Sequence, residues 1–142
     1  MYPTIDQALQ QGIAAHKEGK LQDAERLYRA VLQAQPKHPD ANHNLGVLAV
    51  AVGKPQDALP LFKLAVETSP EIDQFWLSYI DSLIRVDELD AAREALENAK
   101  QIGLNKESSN VLYERLQAKS SESPSPQQQH LLREHYQAGR LE

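Results

Sequence analysis

One register recurs along the chain. Gly12 and Gly46 are 34 residues apart, as are Gly19 and Gly53, with Asp87 a further 34 on. Ala24, Ala58 and Ala92 keep the spacing. So do Ala15, Ala49 and Leu83, and Tyr28, Phe62 and Leu96. Pro36 and Pro70 match, and Leu104 stands where a third proline is due. One coincidence means little, but six columns in one register mean one supersecondary unit stacked several times. Each unit then contacts chiefly its neighbours, and a single unit cannot bury its own apolar face.

Apolar spacing shows what the unit is. In residues 5–38, Thr4 with Gln7 forms a capping box. A helix follows over 5–18, then a turn at Gly19-Lys20. A second helix over 22–35 carries Leu21, Ala24, Leu27, Tyr28, Val31 and Leu32 at 3–4 spacing. Residues 39–72 repeat the plan most faithfully. Pro39 suits the first helical position and Asp40 complements the dipole. Leu45, Leu48, Ala49 and Val52 form one face; Ala58, Leu61, Phe62, Ala65 and Val66 form the next. Pro60 lies past the free first turn, where proline costs about 3 kcal/mol; a mild kink without a break is expected. In residues 73–106, Ser69 is the expected cap, with Pro70 at the first position. Trp76, Tyr79, Ile80, Leu83 and Ile84 are apolar, Asp87-Glu88 turns, and Gly103 stops the helix over 89–101.

The period then fails. A single helix over 105–119, with Val111, Leu112, Tyr113 and Leu116 apolar, sits where a fourth first-type helix is due. A Ser/Pro linker (120–126) and a helix over 126–138, capped by Ser125 and Gln128, follow. Gly139 occupies the turn column, so 126–142 reads as the first helix of a truncated repeat and the chain as a piece of a longer protein. Homodimerisation through this C-terminal helix would cover its Leu131, Leu132, His135 and Tyr136.

Composition narrows the classes. At 142 residues the chain is about one domain. It is 41% hydrophobic and 25% charged, as a folded chain is, and only 6% aromatic. The net charge of −5, with both signs interspersed, argues against a nucleic-acid partner. There is no cysteine, hence no disulfide framework or thiolate metal site. The first residues lack a signal peptide's basic start and apolar run. The longest apolar run, 47–52, is far below the roughly 20 residues of a membrane span. A cytoplasmic protein without membrane or nucleic-acid partners is expected.

No catalytic constellation is visible. His130 and His135 are not at the i, i+4 spacing of a helical zinc site, and HLLREH fits neither zinc-protease pattern. Asp87, Glu88 and Asp90 crowd one turn without the spacing or glycine of a calcium loop. Neither enzyme activity nor a cofactor is expected in this chain.

The 34-residue helix–turn–helix with Leu45-Gly46, Ala49, Ala58, Phe62 and Pro70 resembles the tetratricopeptide repeat. Asn42 and Trp76 stand in its tryptophan column. The third unit departs from it at Tyr79-Ile80 and Leu96, the first at Gln11. The resemblance implies an all-α, right-handed solenoid of antiparallel helix pairs, with a concave groove lined by the first helix of each pair. Its residues would be Asp6, Leu9, Gln10, Ile13 and Lys17; Asp40, His43, Asn44 and Val47; and Gln74, Leu77, Ser78, Asp81 and Arg85. The implied function is an interaction module binding a protein or peptide segment. Relatives that clamp a chaperone's terminal carboxylate place asparagines and cations where this chain has Leu9, Ile13, Asn44, Gln74 and Ser78; only Asn44 matches. The asparagine column of O-linked N-acetylglucosamine transferases holds Gln10, Asn44, Ser78 and His130. The chain is also similar to the N-terminal repeats of such bacterial multidomain enzymes, which makes a substrate-selecting arm the alternative expectation.

Overall fold

The structure, a computed structural model, describes residues 3–122. The helix over 126–138, its dimerisation face and most of the linker lie outside these residues. Among the described residues the chain forms α1 (Ile5–Lys17), α2 (Leu21–Ala34), α3 (Pro39–Ala51), α4 (Pro55–Thr68), α5 (Asp73–Arg85), α6 (Leu89–Ile102) and α7 (Lys106–Glu122), and no strand. α1/α2, α3/α4 and α5/α6 are the three helix pairs, and α7 packs on α5 and α6 as a fourth first-type helix. We call α1, α3, α5 and α7 the A helices and α2, α4 and α6 the B helices.

The turn columns share one backbone solution. Gly19, Gly53 and Asp87 all adopt the left-handed conformation, at φ 78°, 81° and 62°. Glycine does this without strain, and aspartate is among the few other residues that tolerate it. The capping box at Thr4 forms with both bonds, and α4 runs unbroken through Pro60.

Within the first two pairs the helices approach closely because a small residue faces a large one. A Cβ added at Gly12 would come within 2.9 Å of ring carbons of Tyr28, and one at Gly46 equally close to the ring of Phe62. Both rings are about 1% exposed. In the third pair these columns hold Ile80 and Leu96, both buried, so bulk moves from the B helix to the A helix. The core falls into two clusters, and their division runs through the second unit. Leu45 and Leu48 of α3 pack back onto the first unit, while Ala65 and Val66 of α4 pack forward onto the third.

The loops between pairs differ from expectation. Ser69 caps the C-terminus of α4, its N–H bonding to Ala65 O. α5 starts at Asp73 behind Ile72, so neither Ser69 nor Pro70 begins it. Pro70 instead supplies a carbonyl, which accepts a 2.8 Å hydrogen bond from Trp76 Nε1. Asn42, in the same column one repeat earlier, donates from Nδ2 to Pro36 O (3.1 Å) and His38 O (2.9 Å). The column therefore asks for a buried N–H donor that closes the loop, which tryptophan and asparagine both provide.

α7 departs further. α1, α3 and α5 begin 34 residues apart, but α7 begins only 33 after α5, because the loop after α6 is one residue shorter. Leu112 and Leu116 are buried, whereas Val111 and Tyr113 are 56% and 55% exposed and do not join the core face. α7 also continues to Glu122, three residues into the expected linker. Lys119 pairs with Asp87 at 3.2 Å and Arg93 donates to Ser120 Oγ, fixing the helix end to the third unit.

The close approach gives a direct test. Gly46→Ala should lower the unfolding free energy by about 1–3 kcal/mol, the usual cost of overpacking. Combined with Phe62→Leu it should cost less than the sum of the two changes, with a coupling of about 0.5–3 kcal/mol by urea denaturation.

Candidate functional site

The A helices lie side by side, α1 against α3, α3 against α5 and α5 against α7. Their common face is the candidate site, and its composition follows from what the B helices leave uncovered.

Of the expected groove residues, Asp6, Gln10, Lys17, Asp40, Gln74 and Arg85 are exposed. Ile13, Asn44, Val47, Leu77, Ser78 and Asp81 are half-buried. Leu9 and His43 are not surface residues. Leu9 belongs to the core of the first unit, because its position on α1 also faces α3. His43 is 8% exposed and lies between the rings of Phe62 and Phe75, with centroids 5.5 and 4.8 Å away. Its Nε2 shares a 2.7 Å hydrogen bond with Ser78 Oγ, which also accepts from Gln74 Nε2 at 3.3 Å. This chain of polar groups joins α3 to α5 along the floor of the face.

Between α5 and α7 the face opens into a cleft of about 350 Å³. Leu77, Val111 and Leu112 give it an apolar strip, and Gln74, Ser78 and Ser108 line it with hydrogen-bonding groups. At one end Asp81 takes an ion pair from Arg85 (2.8 Å) and another from Arg115 of α7. Repeat spacing alone misses Ser108, Val111, Leu112 and Arg115. The signal was present in the helix over 105–119, but the one-residue slip moves its columns. In the shifted register Val111 falls beneath Ser78 rather than Leu77.

Among the described residues no group of His, Asp or Glu is arranged to hold a metal ion. None of the described helices is long and apolar enough to cross a membrane.

Burial holds His43 below the ordinary histidine value of 6.5, with the carboxylate of Asp40 opposing the shift. The unfolded chain therefore takes up a proton near pH 6.5 that the folded chain still refuses. The contribution of His43 to stability should be flat above that value and fall as the pH drops through it toward the lower folded value. Urea denaturation across pH 4–8 checks this by difference, since the falling component should be missing in His43→Gln, whose amide can keep the bond to Ser78.

No curated protein matches the sequence. Solved structures that share the fold include these three. The tetratricopeptide domain of Sgt2 from Aspergillus fumigatus superposes with a TM-score of 0.74 at 20% identity, covering 88% of this chain and 86% of that one. The type III secretion chaperone SycD of Yersinia enterocolitica, in complex with a peptide of the translocator YopD, gives 0.72 at 20% identity, covering 86% and 96%. The first such domain of Spaghetti (RPAP3), bound to the HSP90 peptide SRMEEVD, gives 0.68 at 21% identity, covering 78% and 89%. The tetratricopeptide repeat model matches twice, over residues 9–71 and 43–103. Turn columns, helix pairing and these two overlapping matches agree, and the chain belongs to the tetratricopeptide repeat family.

Proposed function

We propose that this chain is a non-catalytic interaction module that holds a peptide or protein segment along the concave face of its A helices. The observation that carries the reading is the cleft between α5 and α7. It combines an apolar strip with a half-exposed valine, hydrogen-bonding groups on one side and a charged end. An extended or helical segment needs this mixture, with apolar anchors for affinity and polar groups for register. Two of the structures that share the fold hold peptides, one from HSP90 and one from YopD, which supports the reading.

The ligand is recognised through its interior rather than its terminal carboxylate. Of the clamp columns only Asn44 matches; Leu9, Ile13, Gln74 and Ser78 supply no cation, and both arginines near the cleft already engage Asp81. Asn44, half-buried in the middle unit, is placed to bond the peptide backbone. As the arm of a larger enzyme of the O-linked N-acetylglucosamine transferase type, the chain would use this same face to select protein substrates. Of that type's asparagine column only Asn44 is present, with Gln10 and Ser78 beside it, and nothing among the described residues favours the arm over a free-standing module.

Selection of a displayed random-peptide library on the chain tests the proposal. Enriched peptides should bind Leu77→Glu and Val111→Glu about tenfold or more weakly, a loss of at least ~1.4 kcal/mol. Helicity by circular dichroism should be unchanged. Peptides that bind both variants as tightly as the parent would refute the A-helix face as the site.

A further inference from the structure

The cleft between α5 and α7 ends in three charges, two of one sign and one of the other. Arg115 lines the cleft with Asp81, and Arg85 adjoins it through the same carboxylate. Asp81 gives Oδ2 to Arg85 Nε at 2.8 Å and Oδ1 to Arg115. Its side chain is 25% exposed, against 41% for Arg115 and 54% for Arg85. The shared anion is therefore the most covered member, and the two guanidinium groups form the outer surface of the cluster.

Donor accounting leads the same way. A guanidinium carries five N–H donors in a planar fork and no acceptor. Arg85 spends its Nε–H on Asp81, and Arg115 pairs through one terminal nitrogen. The other donors of both arginines have no partner among the described residues. Asp81, with an arginine on each oxygen, is already saturated by cations.

The neighbouring charges leave that sign in place. One turn along α7, Lys119 pairs with Asp87 at 3.2 Å. Glu88 and Glu114 are exposed and do not line the cleft. At the opposite end Gln74 and Ser108 are neutral, and the carboxylate of Asp73 accepts a hydrogen bond from Asn105 N–H. Glu107 is eight residues before Arg115, which is about 12 Å along the helix and more than the Debye length of about 8 Å at physiological salt. Neither arginine stands in a column of the terminal-carboxylate clamp.

Spacing ties the cations to the apolar strip. Leu77 is four residues before Asp81 on α5, and Val111 is four before Arg115 on α7. Four residues of helix rise about 6 Å, which two residues of extended chain, at about 3.3 Å each, also span.

We propose that the segment held in this cleft carries an acidic side chain two residues from its apolar anchor, with the anchor on Leu77 and Val111 and the carboxylate on Arg115 and Arg85. Selection of this class of segment presupposes the A-helix face as the binding site. A second carboxylate matches two cations with two anions and uses donors that the bare cluster leaves unmade. Since both arginines are substantially exposed, the gain is modest and falls with salt.

Three peptides with blocked termini serve as probes: acetyl-GSLSESG-amide and its counterparts with glutamine or lysine in place of the glutamate. Each is titrated into the full 142-residue chain with leucine and valine methyl groups followed by NMR. Shifts should appear at Leu77 and Val111 and be absent from Leu45 and Leu48. The glutamate peptide should bind about threefold more tightly than the glutamine peptide, and the lysine peptide most weakly. The preference should vanish in Arg115→Gln and shrink at about 0.5 M sodium chloride. Arg85→Gln, at an exposed position on α5, should also reduce it, which keeps the test sound if Arg115→Gln loosens α7. Equal binding of the glutamate and glutamine peptides, with the methyl shifts present, would overturn the proposal and leave the groove standing. A preference that survives both variants would overturn it as well. No shift at Leu77 and Val111 with any of the three would refute the A-helix face as the site, and the acidic preference with it.

Discussion

The stack depends on how closely each A helix lies against its own B helix. At Gly12 and Gly46 the space for a β-carbon is occupied by the rings of Tyr28 and Phe62. The distance between the helices is set there, and with it the position of everything on the outer faces. Packing this dense is unforgiving, because a methyl group has nowhere to go. In the third unit the same columns hold Ile80 on the A helix and Leu96 on the B helix, both buried, so two branched side chains meet where the first two units have glycine against a ring.

That constraint explains why the core is shared across units. Since each pair spends its closest contact internally, the remaining apolar residues must be covered by the next pair. The two clusters accordingly divide within the middle unit, with α3 facing back and α4 facing forward. Stability in such an array approximates a sum of unit and interface terms. The middle unit therefore couples both halves, and its close match to the repeat pattern is what that position requires.

The fold was legible because the positions under the strongest constraint recur. Turn residues with positive φ and the small and large members of the first two close contacts can be read from 34-residue columns, and the first capping box from its own local sequence. The site was less legible. Leu9 and His43 share a helix with groove residues, yet they are buried because the neighbouring A helix covers them, which one unit's sequence does not state. The prolines misled for a similar reason. Pro70 looks like a helix start, but a distant indole N–H claims its carbonyl and keeps it in the loop. α7 was hardest, since one residue missing from its loop shifts every column. Its alignment is held by Arg115 pairing with Asp81, by Lys119 pairing with the turn residue Asp87, and by Arg93 of α6 donating to Ser120.

Binding specificity in a repeat fold has to come from departures from the repeat, because consensus positions are used up in building the stack. The departures here concentrate at one place. Between α5 and α7 the shifted register leaves Val111 half-exposed beside Leu77 and draws Arg115 to Asp81. His43 connects this region to the middle unit in physical terms. It sits on α3, and its bond to Ser78 fixes α3 against α5. A polar link inside an otherwise apolar junction costs desolvation but has a definite geometry, so it sets the angle between units more narrowly than apolar contact would. That bond, with the packing of the His43 ring on Phe62 and Phe75, is thus part of what positions α3 beside α5 under the A-helix face, and with it the shape of any segment the face accepts.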